Sequence, residues 1–183
     1  MSKTYFTSDW HLGEDRIGIN GKPNLFYRPF DSIRTQNDTI VRNFRNVFND
    51  GDVLWHLGDV LYDKEDIYRL EDLKHFYPNS KFHLIIGNYD EGKMAYLDRV
   101  FDSIQHEAEI EVKGKKYYLN HYPSKCVSAE FAITGHIHGL WKVQKNMINV
   151  GVDAWHFKPV SEDELDFCRT ACEKYYDVNV FPY

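Results

Sequence analysis

Short apolar and aromatic runs alternate with polar, glycine-containing turns through the first half of the chain. Lys3 to Ser8 reads as a strand rich in aromatic and β-branched residues, delivering Asp9 and His11 at its end. From Leu12 to Phe30 the composition shifts to Gly, Asn, Pro and charged residues, which predicts a long loop. Loops of that length in compact domains are often functional. Ser32 is placed to cap a helix carrying Ile33, Ile40, Val41, Phe44, Val47 and Phe48 on one face, and Asn49-Asp50-Gly51 ends it. Val53 to Leu57 is the next strand and ends in Gly58-Asp59, after which Asp63 caps a helix with Ile67, Leu70 and Leu73 inward. Lys81 to Ile86 is a third strand, ending at Gly87-Asn88-Tyr89-Asp90 and followed by a short helix around Met94 to Phe101. This is a βαβ rhythm, in which function gathers where strands end.

The second half changes to paired strands. Ala108 to Val112 and Lys116 to Asn120 flank Lys113-Gly114, a hairpin turn signal. Phe131 to Thr134 leads into Gly135-His136-Ile137-His138-Gly139, and Trp141 to Gln144 is expected to pair with Met147 to Val150. Ser161 and Glu164 form a capping box for a last helix that runs to about Tyr175.

With 183 residues, 43% of them hydrophobic, the chain fits a single domain over 1–183. The formal charge of −6 argues against a partner such as long nucleic acid, whose binding rests on many Lys and Arg contacts to phosphate. A small phosphorylated substrate stays open. No run of about 18 apolar residues is present, so no membrane span is expected. Three cysteines, Cys126, Cys168 and Cys172, and no secretory signal ahead of the first strand predict a reducing cytoplasm. Cys168 and Cys172 are four apart on the last helix and fit a buried apolar face better than a metal site.

Taken singly, the polar strand-end residues have ordinary explanations. Asp9 and His11 fit a turn, Asp59 a helix cap, and His121 a satisfied core histidine. Their order changes that reading: Asp-x-His, Gly-Asp, Gly-Asn-x-Asp, Asn-His and Gly-His-x-His each close a predicted strand. In this sequence they stand as SDWH, HLGDV, GNYD, NHYP and GHIHG. The series resembles the calcineurin-like metallophosphoesterase superfamily, and is closest to its small phage and bacterial type. The match extends from Ser8 to about Asp153.

That resemblance implies an α/β fold, a four-layer α/β/β/α sandwich of two mixed sheets. It also implies two divalent metal ions. Asp59 is the expected bridge; Asp9, His11 and His138 join it on one ion, and Asn88, His121 and His136 on the other. The residue types suit the task, because a carboxylate between two ions offsets their repulsion, and neutral imidazoles complete each shell without making the site too anionic for phosphate. His136 and His138 alternate in one short segment, with Gly135 and Gly139 expected to let the backbone come close. Manganese is the first expectation, with magnesium, zinc, iron or nickel as alternatives, since mixed oxygen and nitrogen donors select weakly. The implied reaction is hydrolysis of a phosphate ester by in-line attack of hydroxide, with Asn88 both a ligand and a contact to phosphate.

The pattern breaks at Tyr89, where the family commonly has a histidine, and at Tyr62, where protein-phosphatase relatives have the aspartate that orients it. Relatives lacking that histidine tend toward diesters. The expectation is therefore a phosphodiesterase for a small or nucleotide-like diester, with a phosphomonoesterase (nucleotidase or protein phosphatase) as the alternative and a non-catalytic scaffold disfavoured by the full ligand set. Tyr89 is a candidate catalytic hydrogen-bond donor. Arg16, Arg28, Lys93 and Lys125 are candidate phosphate contacts, and Tyr27, Phe30 and Tyr122 candidate stacking surfaces, although for each a solvated charge or packing ring is the commoner role. His56 precedes the Gly-Asp pair and is either a support for a ligand or a packing residue. Asp153 is expected to steady the loop behind GHIHG.

Overall fold

The computed structural model describes residues 2–14 and 28–177. Thr4–Thr7 (β1), Val53–His56 (β2) and Lys81–Ile85 (β3) are short, largely buried runs. Burial from both sides is what a parallel sheet under helices requires. They pair in parallel with one another and with Ser103–Gln105 (β4), while Val160–Ser161 (β10) adds an antiparallel edge, giving the order β10-β1-β2-β3-β4. Helices Ile33–Arg45 (α1) and Tyr68–Phe76 (α2) supply the crossovers after β1 and β2. Ser32 caps α1 through the Thr35 N–H at 3.1 Å. Asp63 caps a 3-10 turn, Lys64–Ile67, that runs into α2.

The second sheet begins with Glu107–Val112 (β5) and Lys115–Asn120 (β6), an antiparallel hairpin. Its turn residues Lys113 and Gly114 both have positive φ, 51° and 75°, as a type I′ turn demands. Ala132–Thr134 (β7) and Met147–Asn149 (β9) follow in parallel, with Val143–Gln144 (β8) antiparallel at the edge. Both sheets are mixed, and helices flank them, in agreement with the expected α/β sandwich. Glu107, Glu109 and Glu111 of β5 alternate outward, as a half-solvated strand should.

Two cores hold the layers together. Tyr5, Leu54 and Phe82 pack with Ile40, Phe44, Phe48, Leu70 and Leu73 under α1 and α2. Phe6, Leu57 and Ile85 meet Tyr117, Leu119, Ile133 and Ile148 between the sheets. Each such side chain contributes about 1.5–3 kcal/mol by leaving water. The last helix, Glu162–Tyr175 (α4), lies against β1 and β10 of one sheet and β8 and β9 of the other, and its Leu165 enters the inter-sheet core. The expected capping box is present: Ser161 Oγ accepts from the Glu164 N–H at 3.2 Å and Glu164 Oε2 accepts from the Ser161 N–H at 2.9 Å. Ser161→Ala is expected to lower stability by about 1 kcal/mol in chemical denaturation.

The pattern of apolar positions missed β4 and β10. Strands of three and two residues carry too little alternation to register, and exist because a formed neighbour satisfies their backbone. The helix expected over Met94 to Phe101 is regular only over Met94–Leu97 (α3). All three cysteines are unpaired, and Cys168 and Cys172 pack against the inter-sheet core. No helix among the described residues is long and apolar enough to cross a membrane.

Candidate metal centre

Parallel strands release their chains at one end of the sheet, so Asp9, Asp59 and Asn88 follow β1, β2 and β3 side by side. His121 follows β6 and His136 follows β7, the adjacent parallel pair of the other sheet. A parallel bridge between Ser8 and Gly151 links these ends. Asp9, His11, Asp59, His136 and His138 all have φ between 46° and 73°, the left-handed region that non-glycine residues rarely enter. Such conformations cost about 1–3 kcal/mol each and persist only where the surroundings enforce them.

The enforcing contacts are specific. The Asp9 and His11 N–H groups donate to Gly58 O and Asp59 O, both at 3.0 Å, carrying the β1–β2 ladder past the strand ends. The buried carboxylate of Asp90 accepts the N–H groups of Asp59, Val60 and Gly87 at 2.9 Å each, tying the turn after β2 to the turn after β3. The His136 N–H donates to the Asp9 carboxylate, 3.1 Å from each oxygen. A Cβ on Gly135 would lie 2.0 Å from Ser8 Oγ, so only glycine allows this approach. Gly139 is different: the nearest atom to a Cβ there is 3.7 Å away, ordinary contact, and the expected close approach is confined to Gly135.

Two groups of side chains result. Ligand atoms of Asp9, His11 and His138 lie within 4.8 Å of one another, as do those of Asp59, His121 and His136. Asp59 Oδ2 stands 3.5 Å from His11 Nε2 in the first group and 3.5 Å from His121 Nε2 in its own, so one carboxylate oxygen lies between the groups. Asn88 Oδ1 is 3.2 Å from His136 Nδ1, which puts the amide oxygen at the second group. Both groups could hold a metal ion. The fit is chemical as well as spatial. His121 gives Nδ1 to Leu57 O at 2.6 Å, and its buried Nε2 has no hydrogen-bond partner among the described residues. A buried imidazole nitrogen left in that state is costly without a ligand to accept its lone pair.

The electrostatics show protons gathering at this cluster of carboxylates and imidazoles. Burial raises Asp9 above the ordinary carboxylate range despite nearby His121 and His138. Burial would also raise Asp59, but His121, His11 and the Tyr89 N–H outweigh it and hold it low. His121 is disfavoured as a cation by burial, yet Asp59 and Asp9 lift it to about 9. His11 falls well below its ordinary value, burial outweighing the pull of Asp59.

The remaining candidates separate. Tyr89 packs edge-on to His11, with ring centroids 4.7 Å apart, and its N–H donates to Asp59 Oδ1 at 2.8 Å. Tyr62 lies tilted against Tyr89 at 5.9 Å. Lys93 Nζ donates to Tyr89 O, and Tyr122 packs against His121 and His136, both at 4.9 Å, under Lys125. Arg28 is a correction. Its side chain is fully buried and its guanidinium bonds Asp153, so it cannot serve as a surface phosphate contact. Phe30 packs on Phe157, and Arg16 and Tyr27 lie outside the described residues. His56 is a core residue between the rings of Trp10 and Phe101, neutral because burial drives its pKa to about 3. Asp153 accepts from His138 Nδ1 at 2.9 Å, fixing that ring from behind.

Sequence reasoning left three supports unassigned. Asp90 was read only as part of a motif; Ser8 Oγ donates to Leu57 O at 2.9 Å; Asn149 Nδ2 donates to His138 O and Trp141 O at 2.6 and 2.7 Å. For Ser8 and Asn149 the available signal is a small polar residue inside an apolar run next to a ligand segment; for Asp90 it is its place within the third motif.

Comparison with known proteins gives the family. The sequence pattern of the calcineurin-like phosphoesterase superfamily domain matches residues 5–159. An uncharacterised protein of Methanocaldococcus jannaschii is 30% identical over 173 residues, covering 89% of each chain. The gene 66 protein of Mycobacterium phage L5 is 26% identical over 201 residues, spanning 90% of this chain and 93% of its own. The crystal structure of a protein of unknown function from Aquifex aeolicus superposes with a TM-score of 0.70 at 28% identity, covering 91% of this chain and 99% of that one. With a match over most of its length and two ligand groups at the sheet ends, the chain belongs to the calcineurin-like phosphoesterase superfamily.

Proposed function

We propose that this protein is a dinuclear, metal-dependent phosphodiesterase acting on a small or nucleotide-like phosphodiester. The observation that carries the reading is Asp59 Oδ2, 3.5 Å from a histidine of each ligand group, where a bridging carboxylate would stand. Asp9, His11 and His138 would hold one ion and Asn88, His121 and His136 the other, with manganese first among ions suited to mixed nitrogen and oxygen donors. A pair of divalent ions held by these residues would supply charge neutralisation for the phosphate and activation of water near neutral pH.

The protein's own residues then set orientation and preference. The Asn88 amide has an N–H donor to offer phosphate while its oxygen faces the second group. Tyr89, against His11, offers a phenol that can donate a hydrogen bond. A protonated histidine there would add positive charge; a tyrosine adds none. A phosphomonoester carries close to two negative charges at neutral pH, its second pKa being about 6, whereas a diester carries one. Tyr89 and Tyr62 stand where protein-phosphatase relatives have an imidazole–carboxylate pair, and relatives lacking that histidine tend toward diesters, which supports the diester reading. The acidic balance of the chain, −6, fits a small ester better than a long nucleic acid.

The test is turnover of bis(p-nitrophenyl) phosphate against p-nitrophenyl phosphate by metal-stripped protein with manganese restored. Metal-dependent cleavage mainly of the diester is expected, and preference for the monoester would overturn the assignment. Tyr89→Phe should lower diester kcat by about ten- to a hundredfold, the effect of one hydrogen bond to a charged group. An unchanged rate would confine Tyr89 to packing.

A further inference from the structure

Arg28 occupies a position that a surface contact would not. Its Nε donates to Asp153 Oδ1 at 2.7 Å and one Nη to Asp153 Oδ2 at 2.9 Å, a two-point grip on the carboxylate. The same Nη bonds Asp9 O, and the other bonds Trp10 O at 3.0 Å. A guanidinium can meet this set of acceptors because its donors are fixed in a planar fork. On the far side, Asp153 Oδ2 is 2.9 Å from His138 Nδ1. A carboxylate only accepts, so Nδ1 of His138 carries the proton and its Nε2 is left to face the ligand group.

Every one of these contacts leads to the first ligand group. His138 is reached through Asp153, and Asp9, at φ 58°, is held through its own carbonyl and the next one. The side chains of the second group are oriented by other contacts, His121 through Leu57 O and His136 beside Asn88, and only the His136 N–H reaches Asp9. We propose that Arg28 is a positioning residue chiefly for the Asp9–His11–His138 group, fixing His138 through Asp153 and bracing the left-handed backbone of Asp9. The proposal rests on the two-ion reading above.

The variant that isolates this role is Arg28→Lys. It keeps the positive charge beside buried Asp153, but a single ammonium cannot grip both carboxylate oxygens and two backbone carbonyls at once. Titrating Mn2+ into metal-free protein by calorimetry should give two binding events for the native chain. In Arg28→Lys one event should weaken by about ten- to a hundredfold, the usual effect of losing a group that orients a ligand. The weakened event should be the one that His138→Ala removes, and the one retained in His138→Ala should be unchanged. Should Arg28→Lys not fold, Arg28→Met/Asp153→Asn removes both charges together and carries the same expectation. Two native-like events in a folded variant, or equal weakening of both, would overturn the proposal. A native chain that binds no Mn2+ would instead overturn the two-ion reading itself.

Discussion

Asp59→Asn should cut turnover by about three orders of magnitude and remove at least one of the two ions, while the protein still folds. The substitution keeps shape, and the amide oxygen can still accept the Tyr89 N–H that Asp59 Oδ1 accepts at 2.8 Å. What it loses is the anionic oxygen 3.5 Å from a histidine of each group. Two ions close together repel, and a neutral amide cannot offset that repulsion. Metal charge stabilisation of the transition state amounts to several kcal/mol, and each 1.36 kcal/mol is tenfold, so about a thousandfold loss is the scale. Metal content by elemental analysis and kcat on the diester check it together. Two ions retained with full turnover would show that Asp59 does not bridge.

Gly135→Ala is expected to damage the site through the backbone, with no ligand altered. A Cβ there would meet Ser8 Oγ at 2.0 Å, Ser8 Cβ at 2.7 Å and Asp9 Oδ2 at 3.1 Å. None of these can swing away, since Ser8 is buried with its hydroxyl bonded to Leu57 O and Gly58 O, and the Asp9 carboxylate accepts the His136 N–H. The end of β7 must therefore move off β1, taking His136 and His138 with it. Overpacking of this kind costs about 1–3 kcal/mol, and the upper end is expected here. Gly139→Ala, with nothing nearer than 3.7 Å, should stay within about 0.5 kcal/mol of the native protein. Adding Ser8→Gly to Gly135→Ala should recover part of the loss, with a coupling of about 1 kcal/mol or more between the sites. Denaturation and Mn2+ binding report on the two consequences separately. Equal effects of Gly135→Ala and Gly139→Ala would remove the steric argument.

Much of the site is legible because its residues must be particular side chains at particular strand ends. Asp9, His11, Asp59, Asn88, His121, His136 and His138 stand in short motifs after β1, β2, β3, β6 and β7, and those strands show as apolar runs. The hairpin turn at Lys113-Gly114 and the Ser161–Glu164 capping box are legible for a related reason, as each is complete within a few residues. Short edge strands are not. β4 and β10 are held by the strand beside them, and nothing in three or two residues distinguishes them from a loop.

Arg28 marks the limit most clearly. As a letter in a polar loop it reads as a charge facing solvent, the commonest fate of an arginine. Its partner Asp153 lies 125 positions away, and only the fold brings them to 2.7 Å. His56 and Asp90 show the same thing in opposite directions. One histidine beside a motif is only core packing, while one aspartate within a motif holds three backbone N–H groups.

The sequence by itself determined which chemistry this protein carries, because ligand atoms belong to residue types and their order along the chain needs no coordinates. The tertiary structure alone decided which glycine is sterically required and which arginine is buried behind a histidine. Those are distances between segments more than a hundred residues apart, set by the packing of two sheets, and no local pattern of apolar and polar positions encodes them.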